Sequence, residues 1–193
     1  MGEVEGQVRN EQLDAEREAR RRVALAQIRQ YPDPVLRMSA NEVEDLDESV
    51  AALAERMTRL MQEARGVGLA APQVGVLRRV LVYQAVDDAP VVSLVNPRVT
   101  SSSEERETAE EGCLSLGAAT VVVPVERALS LTVEATSPAG EPVTVEAEGL
   151  EARVIQHELD HLDGVLIVDR TTAEERREAL AKLRPQPILG PLG

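Results

Sequence analysis

The two histidines of the chain stand four residues apart, in Gln156-His157-Glu158-Leu159-Asp160-His161-Leu162. On an α-helix that spacing brings both imidazoles to one face, roughly 6 Å apart along the axis. Two neutral imidazoles so placed can bind one divalent metal ion, with Glu158 beside them as a proton carrier. In a chain with 28% charged residues, both histidines falling in one heptapeptide favours a functional reading. Taken alone, the pattern equally describes a structural helix with two satisfied histidines. A metal needs at least one further protein ligand. With no third histidine, the candidates are the carboxylates, mostly solvated surface, and the single cysteine, Cys113.

Cys113 lies in Glu110-Glu111-Gly112-Cys113-Leu114-Ser115. A lone cysteine in an apolar setting is usually a small buried residue. Joined to two imidazoles, its thiolate makes a three-ligand site with an open fourth position, the signature of a catalytic metal. The thiolate cancels one metal charge, and water at such a centre loses a proton near neutral pH. Glu158 is rotated about 100° from His157 on the helix, so it stands beside the ligand set and is the expected general acid and base. Gln73 ends a loop containing Gly66, Gly68 and, just beyond it, Gly75; its spacing is neither a phosphate loop nor a dinucleotide fingerprint. A neutral amide donor suits a developing oxyanion, as does the backbone N–H of Leu114 next to a metal ligand.

The 193 residues that must position these groups suit one medium domain, and 43% are hydrophobic. With no Phe or Trp and two Tyr, the core must be aliphatic. A net charge of −13, from 34 acids and 21 bases, argues against a broad basic nucleic-acid face, so no DNA partner is expected. One cysteine rules out an internal disulfide and suits a reducing compartment. The acidic start Met1-Gly2-Glu3-Val4-Glu5 fits neither a signal nor a transit peptide, and Gly6 stands where a myristoylation signal wants Ser or Thr. No apolar run approaches the ~20 residues of a membrane span. The expectation is a cytoplasmic protein with no membrane association.

Residues 1–27 read as a polar extension, a solvated tail or frayed helix. Tyr31-Pro32-Asp33-Pro34 is a turn in which the prolines oppose helix. Val50, Leu53, Met57, Leu60, Met61 and Ala64 mark the buried stripe of a helix over 49–64, stopped by Gly66. After the irregular loop 66–75 come strands at 79–84 and 91–95, and a polar loop over 101–108. Strands follow at 121–123 and 129–135, the latter paired by a Pro138-Ala139-Gly140 turn with Val143, Val145 and Ala147. A helix over 150–162, ended by Gly164, carries the histidines, and a last helix is expected over 173–183. The pattern predicts an α+β fold with one central helix. The expected units are the extension 1–27, a catalytic domain 28–184 and a Pro/Gly-rich tail 185–193.

Three segments together resemble the peptide deformylase family: the loop from Gly66 to Gln73, the Cys motif from Glu111 to Ser115 and the helix motif from Gln156 to His161. The resemblance covers roughly 31–169 and implies antiparallel sheets around the metal-binding helix. It implies that Cys113, His157 and His161 bind a divalent metal, Fe²⁺ in the cell with Zn²⁺ or Ni²⁺ as alternatives. Glu158 would be the general acid/base, and Gln73 with the Leu114 N–H would stabilise the oxyanion. The substrate would be the N-formyl-methionine end of newly made polypeptides, with formate released. Gly68 backbone would bind the peptide, and Leu69, Leu150 and Val154 would be walls for the methionine side chain. Transient ribosome contact through Arg176, Arg177, Lys182 and Arg184 is weighed against a solvated helix face.

Two departures from the family pattern stand out. Leu116-Gly117-Ala118-Ala119-Thr120 replaces a Pro followed by a large or basic residue, which changes the mouth of the groove. Val125 follows Pro124 where relatives carry an Arg, so Glu111 is expected to pair with Arg127 or Arg153 instead. The competing readings are a deformylase-like binding module without turnover, for which the altered 117–120 stretch speaks, and a metallopeptidase.

Overall fold

In the computed structural model, which describes residues 2–183 and side chains from residue 14 onward, the strands form two antiparallel sheets. Four helices accompany them: α1 (Gly2–Leu25), α2 (Glu48–Glu63), α3 (Gly149–Leu162) and α4 (Ala173–Lys182). The larger sheet has the order β1 (Gly68–Ala70), β2 (Val80–Tyr83), β3 (Val92–Ser102), β6 (Ser130–Thr136) and β7 (Pro142–Glu148). The smaller pairs β4 (Arg106–Gly112) with β5 (Val122–Ala128). This is the expected α+β architecture. The predicted tail 185–193 and Arg184 lie outside the described residues.

Alternation along β2 shows how the larger sheet is covered on both faces. Val80 and Val82 enter one core cluster with Met57, Leu60 and Met61 of α2. Leu81 and Tyr83 point the other way, to a second cluster with Ala152, Val154, Ile155 and Leu162 of α3. A third cluster joins Val123 and Val125 of β5 to Leu116, Leu166, Ile167 and Ala179. Helix α3 touches β1, β2 and β7 of the larger sheet and β5 of the smaller one. The histidine helix therefore bridges the two sheets, and the Cys segment leaves the end of β4 beside it.

Four expectations need correction. First, of the two readings of the extension the helix holds, over Gly2–Leu25, and the solvated tail does not: Ala24 is buried in the α2 cluster, as is Ile28 just beyond the extension. Second, the polar stretch 101–108 is mostly strand. Ser101 pairs with Thr132 and Ser102 with Leu131, while β4 starts at Arg106; exposed strands hydrogen-bonded at their backbone carry no apolar signature. Third, the loop 66–75 contains β1 and a short 3₁₀ turn over Ala71–Val74. Fourth, Pro34 begins a 3₁₀ turn over Pro34–Arg37, since proline is tolerated in a first turn where its missing N–H has no partner. Among the described residues, no helix is long and apolar enough to cross a membrane.

Candidate metal centre and its cavity

The three expected ligands converge. One ligand atom each from Cys113, His157 and His161 lies within 4.8 Å of the others. Cys113 Sγ is 3.2 Å from His161 Nε2, and the two imidazole centroids are 5.0 Å apart. A single ion with bonds of about 2.0–2.3 Å can reach all three after small adjustments. Gly68, Gln73, Leu114, Leu150, Val154 and Glu158 line the same cavity of about 250 Å³ as Cys113 and His157. His161 is buried behind them. Leu69 is a correction: it is fully buried in the α2 cluster and does not line the cavity. Along an extended strand neighbouring side chains take opposite faces, so with position 68 on the cavity Leu69 faces the core.

Glu111 fixes the orientation of His157. Its Oε2 is 3.0 Å from His157 Nδ1, which donates while the carboxylate is charged and leaves Nε2 for a metal. Arg127 grips both Glu111 oxygens at 3.0 Å, and Arg153 reaches Oε1 at 2.9 Å. Burial alone would raise the Glu111 pKa, but the donors His157 and Arg127 outweigh it and hold the group at about 2. Both expected arginines thus serve. Arg127 also bonds Asp160 Oδ2 at 2.6 Å, and Arg170 bonds Asp160 Oδ1 at 2.6 Å, a chain from the surface to His157 that motif reading missed. Its signal was present in β5: Val125 and Arg127 are two apart, so both turn inward.

Glu158 is treated differently. It is 3% exposed, and its Oε2 has no hydrogen-bond partner among the described residues. Burial pushes its pKa up to about 7. It also explains Gly68: a Cβ there would stand 2.3 Å from Glu158 Oε1, so any side chain at 68 would displace the carboxylate.

Gln73 is buried, with its Oε1 accepting from Ala70 N–H at 2.8 Å. That bond assigns Nε2 as the group facing Ser115 Oγ at 3.2 Å and Cys113 Sγ at 3.9 Å. The segment before α2 braces these loops. Arg29 N–H donates to Gln73 O at 2.7 Å, Gln30 Nε2 to Leu114 O at 2.9 Å and Tyr31 N–H to Ser115 O at 2.9 Å. Sequence reading missed this bracing, because the spacing between residues 30 and 114 offers no periodic signal.

The donor set fits a cation. A thiol, two imidazoles and the charged Glu111 are packed in one buried place. His157 is held well above the usual imidazole pKa: burial opposes this, but Cys113 and Glu111 prevail. Burial, then His157, hold His161 well below. Positive charge is favoured at this point, and two charged imidazoles are not. A soft thiolate with two nitrogen donors and room on the cavity side describes a catalytic rather than a closed structural metal site.

Comparison with known proteins agrees. A model of the family described as polypeptide deformylase matches residues 25–177. A peptide deformylase of Desulforudis audaxviator is 44% identical over 156 residues, covering 81% of this chain and 99% of the relative. The crystal structure of a peptide deformylase from Legionella pneumophila superposes with a TM-score of 0.76 at 42% identity, covering 81% of this chain and 91% of that one. One from Synechococcus elongatus, in complex with actinonin, gives 0.75 at 37% identity, covering 82% and 91%. With its two sheets, its bridging helix and its Cys-His-His centre, the chain belongs to the polypeptide deformylase family.

Proposed function

We propose that Cys113, His157 and His161 hold the metal with which this member of the family removes the N-formyl group from the N-terminal methionine of newly made polypeptides. A divalent cation held there supplies Lewis acidity and lowers the pKa of water. Glu158 takes a proton from the attacking water as its oxygen adds to the formyl carbon. It returns the proton to the amide nitrogen as the C–N bond breaks, giving formate and a free amine. Gln73 Nε2 and the Leu114 N–H donate to the formyl oxygen as it becomes negative. Glu111 keeps His157 in one orientation. The peptide lies along the outer edge of β1 at Gly68, where β-strand addition uses backbone hydrogen bonds. Leu150 and Val154 form walls for the methionine side chain.

The observation that carries this assignment is the convergence of three ligand atoms within 4.8 Å of one another, with Cys113, His157, the unpartnered Glu158 and Gln73 lining one cavity. Iron(II) is the metal proposed for the cell, with Zn²⁺ or Ni²⁺ as substitutes, and the cytoplasm is the proposed compartment. Transient ribosome contact would use Arg177 and Lys182 of α4, since Arg176 is held by Asp169 at 3.0 Å. The test is formate release from formyl-Met-Ala-Ser by protein loaded anaerobically with Fe²⁺. Bound metal without turnover would leave a binding module. Cleavage of unformylated peptides would make the chain a metallopeptidase.

A further inference from the structure

Arg65 stands where the end of α2 meets the rim of the cavity. The helix closes with Arg65 N–H on Gln62 O at 3.1 Å and Gly66 N–H on Met61 O at 2.9 Å. These are the two bonds of a helix end whose middle residue is left-handed, a place normally given to glycine or asparagine. Arg65 takes it with φ 59. Among the described residues, the other non-glycine residues in this region of φ are Asp88 and Asn96, which tolerate it, and the small Ala118 and Ala119. Nothing in the helix end calls for arginine, so a side chain kept there at a conformational cost points to a role outside the helix.

The surroundings indicate that role. Arg65 is exposed, lines the cavity and enters no ion pair among the described residues. The other arginine on the cavity, Arg153, is buried and bonded to Glu111 at 2.9 Å and to the Glu107 backbone oxygen at 2.8 Å. The remaining charge at the rim is the exposed Glu110 of β4. In a chain of net charge −13, Arg65 is the local cation that an incoming peptide meets.

We propose that Arg65 is a specificity-determining residue that binds a carboxylate of the formyl-peptide substrate downstream of its first residue. The proposal rests on the formyl-peptide reading given above. The carboxylate is either an Asp or Glu side chain or the terminal carboxylate of a short peptide.

The test compares kcat/KM of the metal-loaded full chain on four substrates. These are formyl-Met-Ala-Asp-amide, formyl-Met-Ala-Ala-amide, formyl-Met-Ala-Lys-amide and formyl-Met-Ala-Ala with a free C-terminus. At low ionic strength the Asp peptide should exceed the Lys peptide by about three- to fivefold, the range of an exposed ion pair. Half-molar salt should erase the difference. Arg65→Glu should invert the Asp-to-Lys ratio, and Arg65→Gly should abolish the preference for Asp. The free acid set against the Ala amide reports whether the terminal carboxylate is bound as well as the side chain. Because Glu110 remains at the rim, the Arg65→Gly ratio falls to unity or below. Arg65→Gly should also raise Tm, because glycine relieves the left-handed backbone. The same Asp-to-Lys ratio in wild type and Arg65→Glu, or one common decline for all four substrates, would overturn the proposal. Wild-type protein inactive on all four substrates would instead remove the formyl-peptide reading on which it stands.

Discussion

Glu111 and Glu158 are both buried beside His157, at 6% and 3% exposure, yet the fold gives them opposite surroundings. Glu111 receives four donors from Arg127, Arg153 and His157 and is held at about 2. Glu158 keeps one oxygen without a partner among the described residues, and burial pushes its pKa up to about 7. Residue type and burial are therefore poor guides to role, and the count of donors decides. The side behind His157 is a satisfied polar network that holds geometry. The cavity side leaves a carboxylate unsatisfied for chemistry, and a native protein tolerates such a group where it serves function.

The largest effect expected from this contrast is on turnover. Glu158→Gln should lower kcat about 10²–10⁴-fold, the usual range for a lost general acid and base, while metal content stays at one equivalent. Its Tm should not fall, since no protein bond to Oε2 is lost. Loss of metal in Glu158→Gln would place Glu158 in the network that holds geometry and erase the contrast. Glu111→Ala should act on the other side. It strands Arg127 and Arg153 in a buried site, with an expected cost of about 3–5 kcal/mol in urea unfolding. It should also weaken metal binding about 10–100-fold by freeing His157. A double-mutant cycle between Glu111 and Arg153 should return a coupling of about 0.5–3 kcal/mol, and a value near zero would remove Arg153 from the network. Next in size is Gly68→Ala, whose methyl would meet Glu158 Oε1 at 2.3 Å. Displacing that carboxylate by about 1 Å should cost about 100-fold in kcat. Unchanged kcat would show that Glu158 is free to move without loss.

The same contrast explains what the sequence made legible. The four-residue spacing of the histidines and the stripe Val50, Leu53, Met57, Leu60 and Met61 were readable because helical period converts directly into a shared face. Cys113 was readable as the single cysteine, and Gln73 and Glu158 by their places at the end of the Gly-rich loop and beside His157. Strand β4 and the outer half of β3 were not, because their backbone bonds hold exposed polar residues that look like loop. Leu69 was misplaced because one position separates the cavity face from the core face of β1. The pairing Glu111 to Arg127 was visible only as one of two options, and the continuation through Asp160 to Arg170 joins residues on three elements with no shared period. Side-chain networks across elements depend on packing, which local pattern does not encode.

The smallest expected effect isolates the satisfied kind of carboxylate from the metal. Asp169 touches none of the three proposed ligands. It accepts from Arg37 and from Leu166 N–H at 2.9 Å, and it forms an ion pair with Arg176 at 3.0 Å. Burial works against its charged form, but the Arg37 and Leu166 bonds outweigh burial and hold its pKa below the ordinary 3.8. A group depressed in the folded state binds its proton more readily when unfolded. Its stabilisation is therefore present above about pH 4 and is lost as pH falls through the folded value. Being partly exposed, the cluster should be worth about 1 kcal/mol or less. Asp169→Asn cannot titrate, so the Tm gap between wild type and variant should be constant from pH 7 to pH 5 and narrow below about pH 4. Metal loss in acid affects both proteins and cancels in the gap. A gap unchanged down to pH 3 would mean that the arginines contribute nothing through the charge of Asp169.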